Sequence, residues 1–147
     1  MSKQVDIKLS KNFMQSEFAD KSTGTSLVDI RLVSALQELR DNIKKSITIS
    51  SGYRSPAHNT AVGGTAGSLH CLGRAADIKV AGMDLLDLLT EVGKIEAFNR
   101  SGIGFYGTEG FIHVDIGREK PARWARVGGA YVGLAAGIKS YNDRMKK

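Results

Sequence analysis

Apolar residues at Val28, Leu32, Val33, Leu36, Leu39 and Ile43 recur at spacings of three and four, which places them on one face of a helix. Gln37, Glu38, Arg40 and Asp41 fill the other face, and Lys44 and Lys45 close the end where cations suit the helix dipole. Ser26 reads as its N-cap, with Asp29 three residues on. A second helical pattern covers 83–98 through Leu85, Leu86, Leu88, Leu89, Val92 and Ile95, broad enough to face both a sheet and another helix. Residues 46–50, 76–80, 102–106 and 111–116 read as strands. The four residues 107–110 join the last two as an antiparallel hairpin. Phe13, Met14 and Phe18 suggest a turn of helix around 14–19, a short helix follows Pro56, and residues 117–126 read as a basic loop. In the tail, Tyr131, Leu134, Ile138 and Tyr141 fall at helical spacing, with Gly129, Gly133 and Gly137 four apart. These suit a frayed terminal helix or a subunit contact.

Composition adds limits. A chain of 147 residues fits a single domain with an adequate core. The net charge of +6 and pI of about 9.6 imply attraction to a polyanion such as nucleic acid, an anionic membrane or a cell-wall polymer. No strand interleaves aromatic and basic residues as nucleic-acid binders do, so nucleic acid is not the expected partner. The lone cysteine, Cys71, forms no internal disulfide and reads as a buried small hydrophobe beside His70. The N-terminal stretch lacks the apolar core of a secretory signal, and no window approaches the ~20 apolar residues of a membrane span. The expectation is a protein made in the cytoplasm without a signal peptide.

The chemistry concentrates between Ser51 and Val80, where Arg54, His58, Asn59, Ser68, His70 and Asp77 lie on strand ends and the connection between them. A later stretch, Phe111–Asp115, supplies His113 and Asp115. Catalytic zinc takes three protein ligands and leaves a position for water. His70, Asp77 and His113 are a candidate set, because Gly73 lets the intervening loop double back and Asp77 sits on the inner face of its strand. His58 and Asn59 read as braces of the short helix after Pro56.

Three elements stand in a telling order: Ser51-Gly52-Tyr53-Arg54-Ser55-Pro56; Ser68-x-His70-x-x-Gly73-x-Ala75-x-Asp77; and Phe111-Ile112-His113-Val114-Asp115, with Ala122-Arg123-Trp124 downstream. Together they resemble the M15 family of zinc D-Ala-D-Ala peptidases, in the bacterial and phage form that carries His-Val-Asp. The resemblance covers roughly residues 12–126 and leaves 127–147 as a tail. It implies an α+β fold of the hedgehog/DD-peptidase type, with helices on a small, mainly antiparallel sheet that carries the metal. It also implies one zinc ion on His70, Asp77 and His113, and hydrolysis of peptidoglycan stem peptides by a monomer. The bond cut is D-Ala-D-Ala as a carboxypeptidase, or an internal one as an endopeptidase of the endolysin kind. Such a protein reaches the wall through lysis, a phage particle or another export route.

Under that resemblance Arg54 grips a substrate carboxylate or the developing oxyanion and Trp124 contacts substrate, while Ser68 either orients substrate or a ligand or is a turn-stabilising hydroxyl. Many members place an acidic residue three positions before the last histidine, where this chain has Gly110. Asp115, on the same strand face as His113, is then the expected general base, with Glu109 as its competitor. Asp115 holding a histidine or Arg54 in place is the alternative role. The absent acid also keeps open a second function, a zinc-stabilised module that binds wall fragments or a partner without cleaving.

Overall fold

The computed structural model describes residues 5–145. A small hairpin, β1 (Lys8–Ser10) and β2 (Phe13–Met14), leads into a 3-10 turn at Gln15–Phe18 that drives Phe13 and Phe18 into the core. Helix α1 (Ile30–Ile43) follows, then β3 (Thr48–Ser51), α2 (Pro56–Ala61), a second 3-10 turn (Leu69–Leu72) and β4 (Ala75–Lys79). The remainder is α3 (Leu85–Gly93), α4 (Glu96–Asn99), β5 (Gly102–Tyr106), β6 (Phe111–Asp115), β7 (Ala122–Val127), β8 (Ala130–Val132) and α5 (Leu134–Met145). The fold is α+β. Six strands form one sheet in the order β3-β4-β6-β5-β7-β8, antiparallel throughout except where β5 meets β7.

Alternation splits the sheet into two faces. Ile49, Ala76, Ile78, Ile103, Phe105, Ile112, Val114 and Ala125 join one hydrophobic cluster with Leu32, Leu36 and Leu39 of α1 and Leu88 and Val92 of α3. Each large side chain buried there contributes roughly 1.5–3 kcal/mol, so this face fixes the register. The opposite face then follows without further specification. Across it, successive partners Ser51, Asp77, His113, Gly104 and Trp124 make one row from β3 to β7. One pleat step towards the β5–β6 turn, Phe111, Tyr106, Arg126 and Tyr131 make a second.

Several expectations change. α1 starts at Ile30, because Asp29 rather than Ser26 is the cap and accepts from the Arg31 backbone N–H; the Ser26 hydroxyl donates to the Gln15 carbonyl instead. The helix over 83–98 breaks after Gly93, a weak helix former, and Ile95 takes an extended conformation that buries its side chain. Residues 122–127 are a strand and not a loop, held by parallel pairing to β5 that no local pattern signals. Tyr131 belongs to β8 rather than to the terminal helix. Within that helix only Gly137 makes a close approach, onto Ala125 of β7, while Tyr141 packs edge-on against Phe105. Cys71 is half-exposed, since it lies on a 3-10 turn where strand alternation does not apply. No helix among the described residues is long and apolar enough to cross a membrane.

Candidate metal centre

β4 and β6 pair so that Asp77 lies directly opposite His113. His70 arrives from the turn before β4. The Ser68 hydroxyl caps that turn by accepting from the His70 backbone N–H (3.2 Å), and Gly73 ends it at φ 68°. A side chain at Gly73 would also strike the Leu27 backbone, so glycine is required twice over. The three side chains are buried, and one ligand atom from each lies within 4.8 Å of the others.

The outer nitrogens decide what faces inward. His70 Nδ1 lies 2.7 Å from the Gly52 carbonyl oxygen, which can only accept, so that nitrogen carries the proton and Nε2 keeps its lone pair 3.4 Å from Asp77 Oδ1. His113 Nε2 lies 2.7 Å from Asp115 Oδ2, and Nδ1 faces the same Asp77 oxygen at 3.2 Å. Two imidazole lone pairs and a carboxylate oxygen therefore converge. Burial works to raise the Asp77 carboxyl, but the neighbouring His113 and His70, whenever either imidazole carries its second proton, outweigh it and hold it below the usual carboxylate range. Burial likewise works against a charged His113, yet Asp115 and Asp77 raise its pKa. Both directions report a pocket that favours positive charge. Three convergent acceptors, the two histidines held by their outer nitrogens and Asp77 by Arg54, suit a divalent cation.

Arg54 is fixed beside this cluster by Ser51 Oγ (3.1 Å), Asn59 Oδ1 (3.4 Å) and Asp77 Oδ2 (3.2 Å). Asn59 also donates to the Thr65 carbonyl, so it braces the 62–67 loop as well as the helix it lies on. Behind them Asp20 is buried and accepts from the Ser55 backbone N–H, from Ser22 and Thr23, and pairs with His58 Nδ1 at 3.0 Å. Nothing in its local sequence distinguishes Asp20 from a surface loop aspartate.

Asp115 does not face the groove. It is 0% exposed, and its oxygens are taken by His113 Nε2, Ser101 Oγ (2.5 Å), the Gly102 N–H (2.7 Å) and the Arg118 guanidinium (2.9 Å). A general base needs an accessible lone pair near the water it deprotonates. The expectation that Asp115 is that base gives way to the alternative, a carboxylate that orients His113. Ser101 and Arg118 come from a turn and a loop, and alternation along β6 gives no sign of them.

The Peptidase M15 family model matches residues 8–115, most of the chain and every residue of the cluster. The chain belongs to the Peptidase M15 family. It is also similar to the probable peptidoglycan L,D-endopeptidase MepK of Haemophilus influenzae, 34% identical over 76 residues. That match covers 48% of this chain and 39% of the relative.

In this M15 chain the cluster opens into a groove of about 610 Å³. Trp124 lines it, its ring centroid 5.0 Å from that of His113 and its Nε1 donating to the Tyr106 hydroxyl at 3.1 Å. It fits because its row neighbour is Gly104, where a Cβ would come within 2.6 Å of the indole. Burial pushes the Tyr106 hydroxyl up to about 12, so it stays a proton donor at neutral pH. Ser68, Arg54 and Glu109 also line the groove, and Glu109 is held by Arg126 at 2.8 Å.

Proposed function

We propose that this protein is a zinc-dependent peptidase that hydrolyses peptidoglycan stem peptides. The observation that carries the reading is the set of inward-facing acceptors on His70, Asp77 and His113, each with its outer side engaged. When bound there, zinc would polarise the scissile carbonyl and bring the pKa of water from about 16 towards ~7. Arg54, its charge fixed by Ser51, Asn59 and Asp77, would donate to the oxygen that gains charge in the transition state. The Tyr106 hydroxyl, which accepts from Trp124, keeps its own proton to donate in the same groove. Of the carboxylates on the groove wall among the described residues, Asp77 is bound up with the histidines. We assign the proton-accepting role to Glu109, on the β5–β6 turn.

The L,D-endopeptidase name belongs to the Haemophilus protein; together with the groove it favours endopeptidase over carboxypeptidase action here. Digestion of purified cell walls with the purified chain, followed by mass spectrometry of the released muropeptides, tests the proposal. Cross-linked muropeptides resolving into monomers, blocked by a chelator and restored by zinc, are the expected products. A chain that binds zinc and walls but releases no fragment would be the binding module instead.

A further inference from the structure

We propose that Arg126 reads a substrate carboxylate two or three residues from the scissile bond, making this peptidase selective for a free acid at that position. The inference rests on the peptidase reading above and goes beyond it. Arg126 stands on β7, paired on both sides, with Tyr106 across on β5 and Tyr131 across on β8. It faces the groove from the second row, one pleat step from Trp124. Its guanidinium is held on two counts: Nη1 donates to Glu109 Oε1 at 2.8 Å, and Cζ lies 5.3 Å from the Tyr131 ring centroid.

That anchoring is incomplete in an informative way. Nε of Arg126 is shielded from water and has no hydrogen-bond partner among the described residues. A solvated surface arginine leaves no donor dry, because unpaired buried donors are costly. Glu109 takes one prong, which leaves the Nε–Nη2 edge, and that edge matches the two oxygens of a carboxylate. A small rotation of the guanidinium towards an incoming acid satisfies it. Of the other guanidinia on the groove wall, Arg54 is tied beside Asp77 in the metal row and Arg118 is paired with Asp115.

The register supplies the distance. β7 lies two strands from β6, and Arg126 is one pleat step along from the metal row. At ~4.8 Å between strands and ~3.4 Å per residue, its Cα stands roughly 12 Å from that of His113. An extended peptide laid from the metal row towards β7 covers that in three to four residues, so the guanidinium meets a carboxylate carried slightly nearer. The stacked rings of Tyr106 and Phe111, 4.4 Å between centroids, floor the path.

Matched cross-linked stem peptides, with free carboxylates left or amidated one at a time, provide the test. The wild-type chain should cleave the free acid about 10–100-fold more efficiently at one position on the β7 side, as expected for a charge-assisted pair. Arg126→Gln should bring that ratio close to one with metal content unchanged, and release of Glu109 should slow both peptides alike. Arg126→Lys should recover part of it. Glu109→Gln should slow both peptides yet leave a preference for the free acid, because the Nε–Nη2 edge and the Tyr131 contact of Arg126 remain. Equal cleavage of free and amidated peptides by the wild type overturns the inference while the peptidase reading stands. A preference that survives Arg126→Gln overturns it too. Cleavage of neither peptide overturns the peptidase reading and this inference with it.

Discussion

His70 and His113 approach the same oxygen of Asp77 from two different kinds of architecture. His113 comes from the sheet, where it lies opposite Asp77 on one side and Gly104 on the other. The hydrophobic cluster beneath fixes the register, and the site face inherits its geometry from it. His70 and Arg54 come instead from the 51–74 segment, which is turns and one short helix. There the geometry is written in single bonds from side chains to backbone: Ser68 to His70, His70 to Gly52, Asp20 to Ser55. The sheet half is therefore redundant, while the loop half depends on a few groups. The two halves should fail differently.

The sheet half fails hardest at its ligand. His113→Ala should bind no stoichiometric zinc, by metal analysis, and show no measurable cleavage, yet melt cooperatively because the core beneath is untouched. Full retention of metal would remove His113 from the site.

One row away the effect should be smaller and of another kind. Asp115→Asn keeps shape but loses the charge that orients His113, so zinc affinity should weaken by roughly 10–100-fold and excess zinc should restore much of the rate. Glu109→Gln should instead remain zinc-loaded and lose about 10²–10⁴ in turnover, the usual share of general acid–base catalysis. A zinc-loaded, dead Asp115→Asn beside a zinc-loaded, active Glu109→Gln would reverse these roles.

The loop half should fail through Asp20. Burial works to raise its carboxyl, but bonds from Ser22 and the Ser55 backbone outweigh that and lower its pKa below the ordinary 3.8. A carboxyl lowered in the folded state contributes stability that is present above the unfolded value and lost as pH falls towards the folded one. Asp20→Asn should cost about 1.5–3 kcal/mol at neutral pH and flatten the loss of stability below about pH 4. Activity should drop with it, since Arg54 immediately precedes Ser55, whose backbone Asp20 anchors. A variant as stable as wild type at pH 7 would remove Asp20 from the framework.

The same contrast explains what the sequence could disclose. His70, Asp77 and His113 stand out by residue type and by their place in ordered motifs that resemble the M15 family, and Arg54 by that resemblance; the fold brings the three ligand candidates together. Alternation along β6 is enough to put Asp115 on the strand face of His113, but its role depends on Ser101, Gly102 and Arg118, which only the folded chain brings to it. The row of Phe111, Tyr106, Arg126 and Tyr131 is hidden in the sequence for a related reason. It exists only through the parallel pairing of β5 with β7, and residues 117–126 by themselves read as a basic loop. The helix ends at Asp29 and Gly93 are set by a side-chain cap and by the extended, buried Ile95 rather than by periodicity.

The central claim is a metal held by three particular atoms. Crystals grown with one equivalent of zinc, measured on either side of the zinc absorption edge, test it directly. The account predicts one strong anomalous peak per chain, about 2.0–2.2 Å from His70 Nε2, His113 Nδ1 and an oxygen of Asp77. His70 Nδ1 should remain on the Gly52 carbonyl and His113 Nε2 on Asp115. A peak elsewhere, coordination through the opposite nitrogens, or no peak at all would contradict it.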